Sequence, residues 1–106
     1  AISEAQLGQR AIEYRKEAVQ NELISNYEHA AFQLKKAEDL IGLYEAQIKK
    51  TEQLIQLLYS AYSNSAKDFE EVLRMQQQLL KYQMAKATAE RNYQIALAEI
   101  EYLTHN

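Results

Sequence analysis

The fold depends on the stretch AYSNSAKDFEEVL, residues 61 to 73, which contains the one clear interruption in a chain otherwise rich in helix-forming residues. The tripeptide SNS at residues 63–65 gathers small polar side chains with no apolar residue among them. Serine and asparagine compete for backbone hydrogen bonds and therefore favour helix ends over helix interiors. The stretch predicts that one helix ends near residue 62 and that a second begins near residue 66.

Outside this break the composition is that of long helices that pack on one another. The 106 residues include two glycines and no proline, and 47% of them are hydrophobic. Such a composition favours helix over sheet, and the length allows one domain. The formal charge of -3 comes from acids and bases mixed along the chain, so no basic stripe is available to neutralise phosphates. We expect no nucleic-acid partner.

The residues before the break carry a coiled-coil seam, in which apolar side chains recur at alternating steps of four and three. Thr51 is the one polar member of this series. The seam positions are Leu23, Tyr27, Ala30, Leu34, Ala37, Ile41, Tyr44, Ile48, Thr51, Ile55, Leu58 and Tyr62.

The same stepping resumes after the break and predicts a second seam, with Lys86 as its single polar member. Its first turn is acidic, which suits the positive end of a helix dipole. Ser65 with Asp68, or Asp68 with Glu71, could cap this helix. The seam positions are Val72, Met75, Leu79, Tyr82, Lys86, Ala89, Tyr93, Ala96, Ile100 and Leu103.

Together these patterns predict an all-α fold, a long antiparallel helical hairpin (coiled coil) with helices over about residues 3–62 and 66–103. Residues 1–106 would form a single hairpin domain with its turn at 63–66. A short turn places residues opposite each other when their numbers sum to about 128. At roughly 1.5 Å per residue the helices would span about 90 and 57 Å. Residues 1–22 would have no partner within the chain.

Ser3 with Gln6 predicts a capping box at the start, and Ile2 with Leu7 a hydrophobic staple.

Each helix also carries a second apolar row beside its seam, which a lone hairpin cannot bury. On the first helix this row is Leu40, Leu43, Leu54, Leu57 and Ala61; on the second it is Phe69, Leu73, Leu80, Ala87, Ile95 and Tyr102. Two helices bury little surface against the entropy of ordering the chain. We therefore expect neighbouring helices, and for the isolated chain an antiparallel dimer that forms a four-helix bundle.

Little in the sequence suggests chemistry. Cysteine is absent, and His29 and His105 lie far apart without a convincing ligand arrangement. Met75 and Met84 could serve as soft copper ligands, yet they have the spacing of helix core residues. No nucleophile with a base, and no phosphate loop, can be assembled. We expect no enzymatic activity, no catalytic residues, no cofactor and no bound metal, and find neither a signal peptide nor an apolar run of membrane-spanning length.

The charged cluster after the break is more than a turn requires. It includes Lys67, Asp68, Glu71 and Arg74, with the aromatic ring of Phe69 near the hairpin end. Charges at such a tip can pair with a neighbouring tip or with a docking partner.

The order of residues from Tyr62 onward resembles the periplasmic helical hairpin of the outer membrane efflux protein family, the TolC-like channels. The resemblance rests on a tyrosine, an acidic-aromatic pair, Val-Leu, a glutamine-rich turn and a long helix with tyrosine and alanine. The matching residues are Tyr62, Ser65, Asp68, Phe69, Val72, Leu73, Gln76, Gln77, Leu79, Leu80, Tyr93, Ala96, Leu97 and Leu103. The stretch NELISNYEHAAFQLKKAEDLIGLYEAQI, residues 21–48, is similar to the family's incoming helix. The family often has glycine where this chain has Ser65.

The resemblance implies that the chain is a fragment, the second of two hairpins that wall a trimeric channel in the periplasm and outer membrane of a Gram-negative envelope. Such a channel exports drugs, metal ions or other small molecules together with a periplasmic adaptor protein and an inner membrane pump. This segment itself would not contact the membrane. The tip would gate the entrance and dock the adaptor through Tyr62, Ser65, Lys67, Asp68, Phe69, Glu71, Val72, Leu73 and Arg74. The alternative is a protein-interaction coiled coil or scaffold hairpin with no transport role.

Overall fold

The computed structural model describes residues 3–61 and 66–105, apart from the side chains of Ala61 and of residues 66–68. Two helices account for this part of the chain: α1, Glu4–Ala61, and α2, Ala66–Thr104. They pack along each other in an elongated hairpin of 92 × 23 × 13 Å. The predicted all-α hairpin is confirmed, with every helix bound within one residue of that expected. The predicted turn residues up to Ser65 lie outside the described residues.

The start of α1 has the predicted capping box. The backbone N–H of Gln6 donates to Ser3 Oγ at 3.3 Å, and the N–H of Ser3 donates to Gln6 Oε1 at 3.2 Å. These bonds satisfy two backbone donors that a helix N-terminus would otherwise leave without partners. The predicted staple falls partly outside the described residues, because it requires Ile2.

The hairpin core is the predicted seam. Every buried residue in the described ranges occupies a seam position, and most other seam residues are half-buried. Leu23 and Tyr27 are exceptions, and both are exposed because α2 ends near their level. The buried residues are Ala30, Ala37, Thr51, Ile55, Val72, Ala89 and Ala96. Four of them are alanines, which allow two helix backbones to approach closely.

Contacts between the helices confirm the antiparallel arrangement. The rings of Tyr44 and Tyr82 lie 6.3 Å apart between centroids, and Lys86 Nζ lies 3.4 Å from Glu45 Oε1. Both pairs fall within three residues of the predicted register. Nearer the tip, Gln76 Nε2 donates to Tyr59 Oη at 3.2 Å, a longer offset that these two extended side chains span.

The two polar seam residues are accommodated differently. The Thr51 hydroxyl is buried and donates to the carbonyl of Gln47 at 2.7 Å, so its hydrogen bond is made within its own helix. Lys86 keeps its amine at the seam edge, where it also lies 3.7 Å from Glu90. Its side chain therefore covers the seam with methylene groups while the charge stays at the surface.

Replacing Thr51 by valine is expected to stabilise the hairpin by about 0.5–1 kcal/mol, because a methyl group then occupies the seam. The carbonyl of Gln47, which loses the threonine hydroxyl, keeps its backbone hydrogen bond within the helix. Thr88→Val is the matched control. Thr88 makes the same bond, to the carbonyl of Met84 at 3.1 Å, but it is exposed. Urea unfolding should separate the two variants, and destabilisation by Thr51→Val alone would contradict this account of the seam.

Candidate functional site

The candidate site at the tip is only partly within the described residues. Tyr62 and Ser65 lie outside them. Lys67 and Asp68 belong to the first turn of α2, and nothing is described of their side chains. The structure therefore places the C-terminal half of the predicted tip set, from Phe69 to Arg74, on the first three turns of α2.

The apolar members of this half point in different directions. Phe69 is 70% exposed and Leu73, one turn later, is 45% exposed. Val72 is buried in the seam. Phe69 and Leu73 thus form an apolar patch open to a partner, whereas Val72 holds the two helices together and offers little surface.

The charged members form an ion pair on the surface. Arg74 Nη1 lies 3.3 Å from Glu71 Oε2, three residues earlier on the same helix. The Arg74 side chain is 70% exposed, and an exposed pair of this kind contributes little to stability. Both groups are therefore free to exchange this bond for one with a docking partner.

A second candidate surface runs along each helix beside the seam. At 100° per residue, the residue before a seam position lies on one side of the seam and the residue after it on the other. The α1 flank row is the set of residues directly before the seam positions from Ala30 to Leu58: His29, Gln33, Lys36, Leu40, Leu43, Gln47, Lys50, Leu54 and Leu57. The α2 flank row is the set directly after seam positions: Leu73, Gln76, Leu80, Gln83, Ala87, Glu90, Gln94, Leu97 and Glu101.

The two flank rows lie on opposite faces of the hairpin. Tyr59 lies directly after a seam residue of α1, and Gln76 lies directly after a seam residue of α2. Because these two side chains are hydrogen-bonded, the sides of the helices that follow the two seams share one face of the hairpin. The α1 flank row precedes its seam and therefore lies on the other face. Its leucines Leu43, Leu54 and Leu57 are between 42 and 61% exposed.

The predicted second row of α2 consequently divides. Leu73, Leu80 and Ala87 follow seam positions and lie on the face of the Tyr59–Gln76 bond. Ile95 and Tyr102 precede seam positions and lie on the opposite face. This division follows from the sequence, because a residue directly before a seam position and a residue directly after it lie on opposite faces.

A third surface is the N-terminal part of α1. Every described residue up to His29 is exposed, as predicted for a segment beyond the reach of α2. Ile12, Val19, Leu23 and Tyr27 recur at steps of seven and four, so they continue the direction of the seam without a helix to cover it.

Lys35 and Asp39 form an ion pair on α1. A hydrogen bond to Asp39 raises the pKa of the Lys35 amine, and the charges of Asp39 and Glu38 add to this effect. This pair is exposed on one helix. Within residues 3–61 and 66–105, no three side chains are grouped as ligands for a metal ion. Neither helix has the length of apolar sequence that a bilayer crossing requires.

Comparison with protein families, curated proteins and solved structures finds no match to this chain. The candidate function therefore depends on the tip, on the exposed rows and on the family resemblance of the sequence. These surfaces can bind other helices and can exchange ion pairs.

Proposed function

We propose that this chain is a wall segment of a TolC-like outer membrane efflux channel, with its helices standing side by side with those of neighbouring hairpins in the periplasm. The observation that carries the proposal is the pair of exposed apolar rows on a confirmed hairpin, together with the sequence resemblance. A tunnel wall requires each helix to contact a neighbour on both sides. A free-standing hairpin requires only the seam.

The tip supplies the second part of the proposal. Phe69 and Leu73 provide an apolar patch near the hairpin end, and Arg74 with Glu71 provides an ion pair beside it. We assign adaptor docking to the apolar patch together with the ion pair beside it, and closure of the entrance to the charged residues. Export would proceed passively through the channel, with the inner membrane pump as the source of energy.

Charge reversal at Arg74 in the complete protein tests the tip. Arg74→Glu removes the partner of Glu71 and places two carboxylates one turn apart, so we expect adaptor binding to weaken by roughly three- to tenfold. The closed-state conductance in planar bilayers should rise. Lys67→Glu is a second variant with the same expectation.

The matched control is Lys81→Glu, which reverses an exposed charge on α2 two turns further from the tip. It should leave both measurements unchanged. If Arg74→Glu and Lys67→Glu also leave conductance and adaptor binding unchanged, the assignment of the tip is wrong.

The second candidate function is that of a protein-interaction coiled coil without transport, and the exposed N-terminal part of α1 favours it. Ile12, Val19 and Leu23 could bind a separate helix, with no barrel. The complete gene distinguishes the two functions. A channel requires membrane strands of about ten alternating residues and a related second hairpin, and a scaffold requires neither.

A further inference from the structure

We infer that the α1 flank row of one copy of this chain binds the α2 flank row of a second copy, so that hairpins associate head to tail rather than as two-fold dimers. The inference rests on the proposed wall of neighbouring hairpins, which uses the same exposed rows, and names which row of one copy covers which row of the next. It starts from their positions on opposite faces, because a two-fold four-helix bundle would need both rows on one face.

The charges of the two rows are complementary. The charged side chains of the α1 flank row are Lys36 and Lys50. Those of the α2 flank row are the carboxylates Glu90 and Glu101, of which Glu90 also lies 3.7 Å from Lys86 of its own helix. Pairing either row with its own copy would set like charges in one interface, whereas pairing α1 with α2 sets opposite charges there.

Some of the apolar residues also match in a register close to that of the hairpin. When α1 of one copy runs antiparallel to α2 of the next so that facing residue numbers sum to 130, Leu57 meets Leu73 and Leu43 meets Ala87, and Gln47 meets Gln83. The same register sets Leu40 opposite Glu90 and Lys50 opposite Leu80. Glu90 falls within one helical turn of Lys36, and Glu101 falls opposite His29. The leucines involved are exposed in the single chain.

A mixing experiment tests this arrangement. Leu57→Glu blocks the α1 row and leaves the α2 row intact; Leu73→Glu does the reverse. Sedimentation equilibrium should show the unmodified chain associating beyond a dimer with rising concentration. Each variant alone should associate at least roughly tenfold more weakly, because a carboxylate is buried against leucine. An equimolar mixture should recover a 1:1 complex that grows no further, since each partner then has one blocked row.

Gln53→Glu and Gln77→Glu are the controls, because both positions are exposed and face away from the seam. They should associate as the unmodified chain does, and circular dichroism should show equal helix content in all variants. The inference is overturned if the unmodified chain stays monomeric up to about 1 mM. It is also overturned if the equimolar mixture forms no complex. A dimer that Leu57→Glu abolishes and Leu73→Glu leaves intact would overturn it too, because that result indicates a two-fold interface through α1. Failure here would leave the tip experiment on the complete channel unaffected.

Discussion

Replacing Ala96 by glutamate is expected to unfold most of the hairpin under conditions in which the unmodified chain is folded. Ala96 is only 3% exposed, at a point where the seam leaves room for little more than a methyl group. Glutamate there must either carry a charge into the seam or force the helices apart. The desolvation cost is about 1–3 kcal/mol and the cost of overpacking is similar. A loss of about 3 kcal/mol is a large fraction of the stability of a chain this small.

The matched control is Ala98→Glu, two residues further along the same helix, where alanine is exposed. Both variants have the same composition, net charge and helix propensity, so they differ only in the side of α2 that receives the carboxylate. In thermal melting followed by circular dichroism, the midpoint of Ala96→Glu should lie roughly 15 °C below that of the unmodified chain. The midpoint of Ala98→Glu should lie within a few degrees of it. Equal midpoints would mean that the seam does not hold the helices together.

The seam could be predicted because its pattern is carried by local sequence. Apolar residues at steps of three and four specify which side of each helix is covered, and two interruptions, Thr51 and Lys86, are too few to shift it. The break at residues 63–65 then leaves the antiparallel hairpin as the simple way to bring two such seams together. The exposure of Leu23 and Tyr27 follows from the unequal helix lengths, which the same pattern indicated.

The tip was harder to predict because its residues share one segment but have different neighbours. Val72 and Leu73 are adjacent and similar in hydropathy, yet one is buried and the other is exposed. The difference is a rotation of 100° about the axis of α2, and it becomes visible only when the seam is traced through the segment. The partner of Arg74 depends on side-chain rotamers, which residue spacing restricts without determining.

The cross-helix polar contacts could not be predicted either. Tyr59 and Gln76 meet at an offset that differs from the predicted register, because long side chains reach along the axes. Lys86 contacts both Glu45 and Glu90, and either carboxylate alone would be a reasonable partner. The face on which these contacts lie does follow from the sequence, because in two antiparallel right-handed helices the sides that follow the two seams share one face. The same relation places the two flank rows on opposite faces and makes head-to-tail association possible.

Truncating a seam residue and a nearby flank-row residue of α1 should change the free energy of unfolding by different amounts. Ile55 is 8% exposed in the seam, and Leu57, two residues later, is 61% exposed in the flank row. Ile55→Ala is expected to lower the free energy of unfolding by about 2 kcal/mol, near the lower end for a buried isoleucine, because a seam between two helices is covered incompletely. Leu57→Ala should change it by less than about 0.5 kcal/mol.

The protein concentration is the decisive variable in this comparison. In dilute solution, where the hairpin is monomeric, urea unfolding should show the full difference between the two variants. At concentrations that favour association, Leu57→Ala should also lower stability, since binding of a second copy adds stability to the folded state and this variant weakens that binding. A Leu57→Ala penalty of about 2 kcal/mol in dilute solution would instead place Leu57 inside the hairpin. The α1 flank row would then be part of the core, and no surface would remain there for a neighbouring helix to cover.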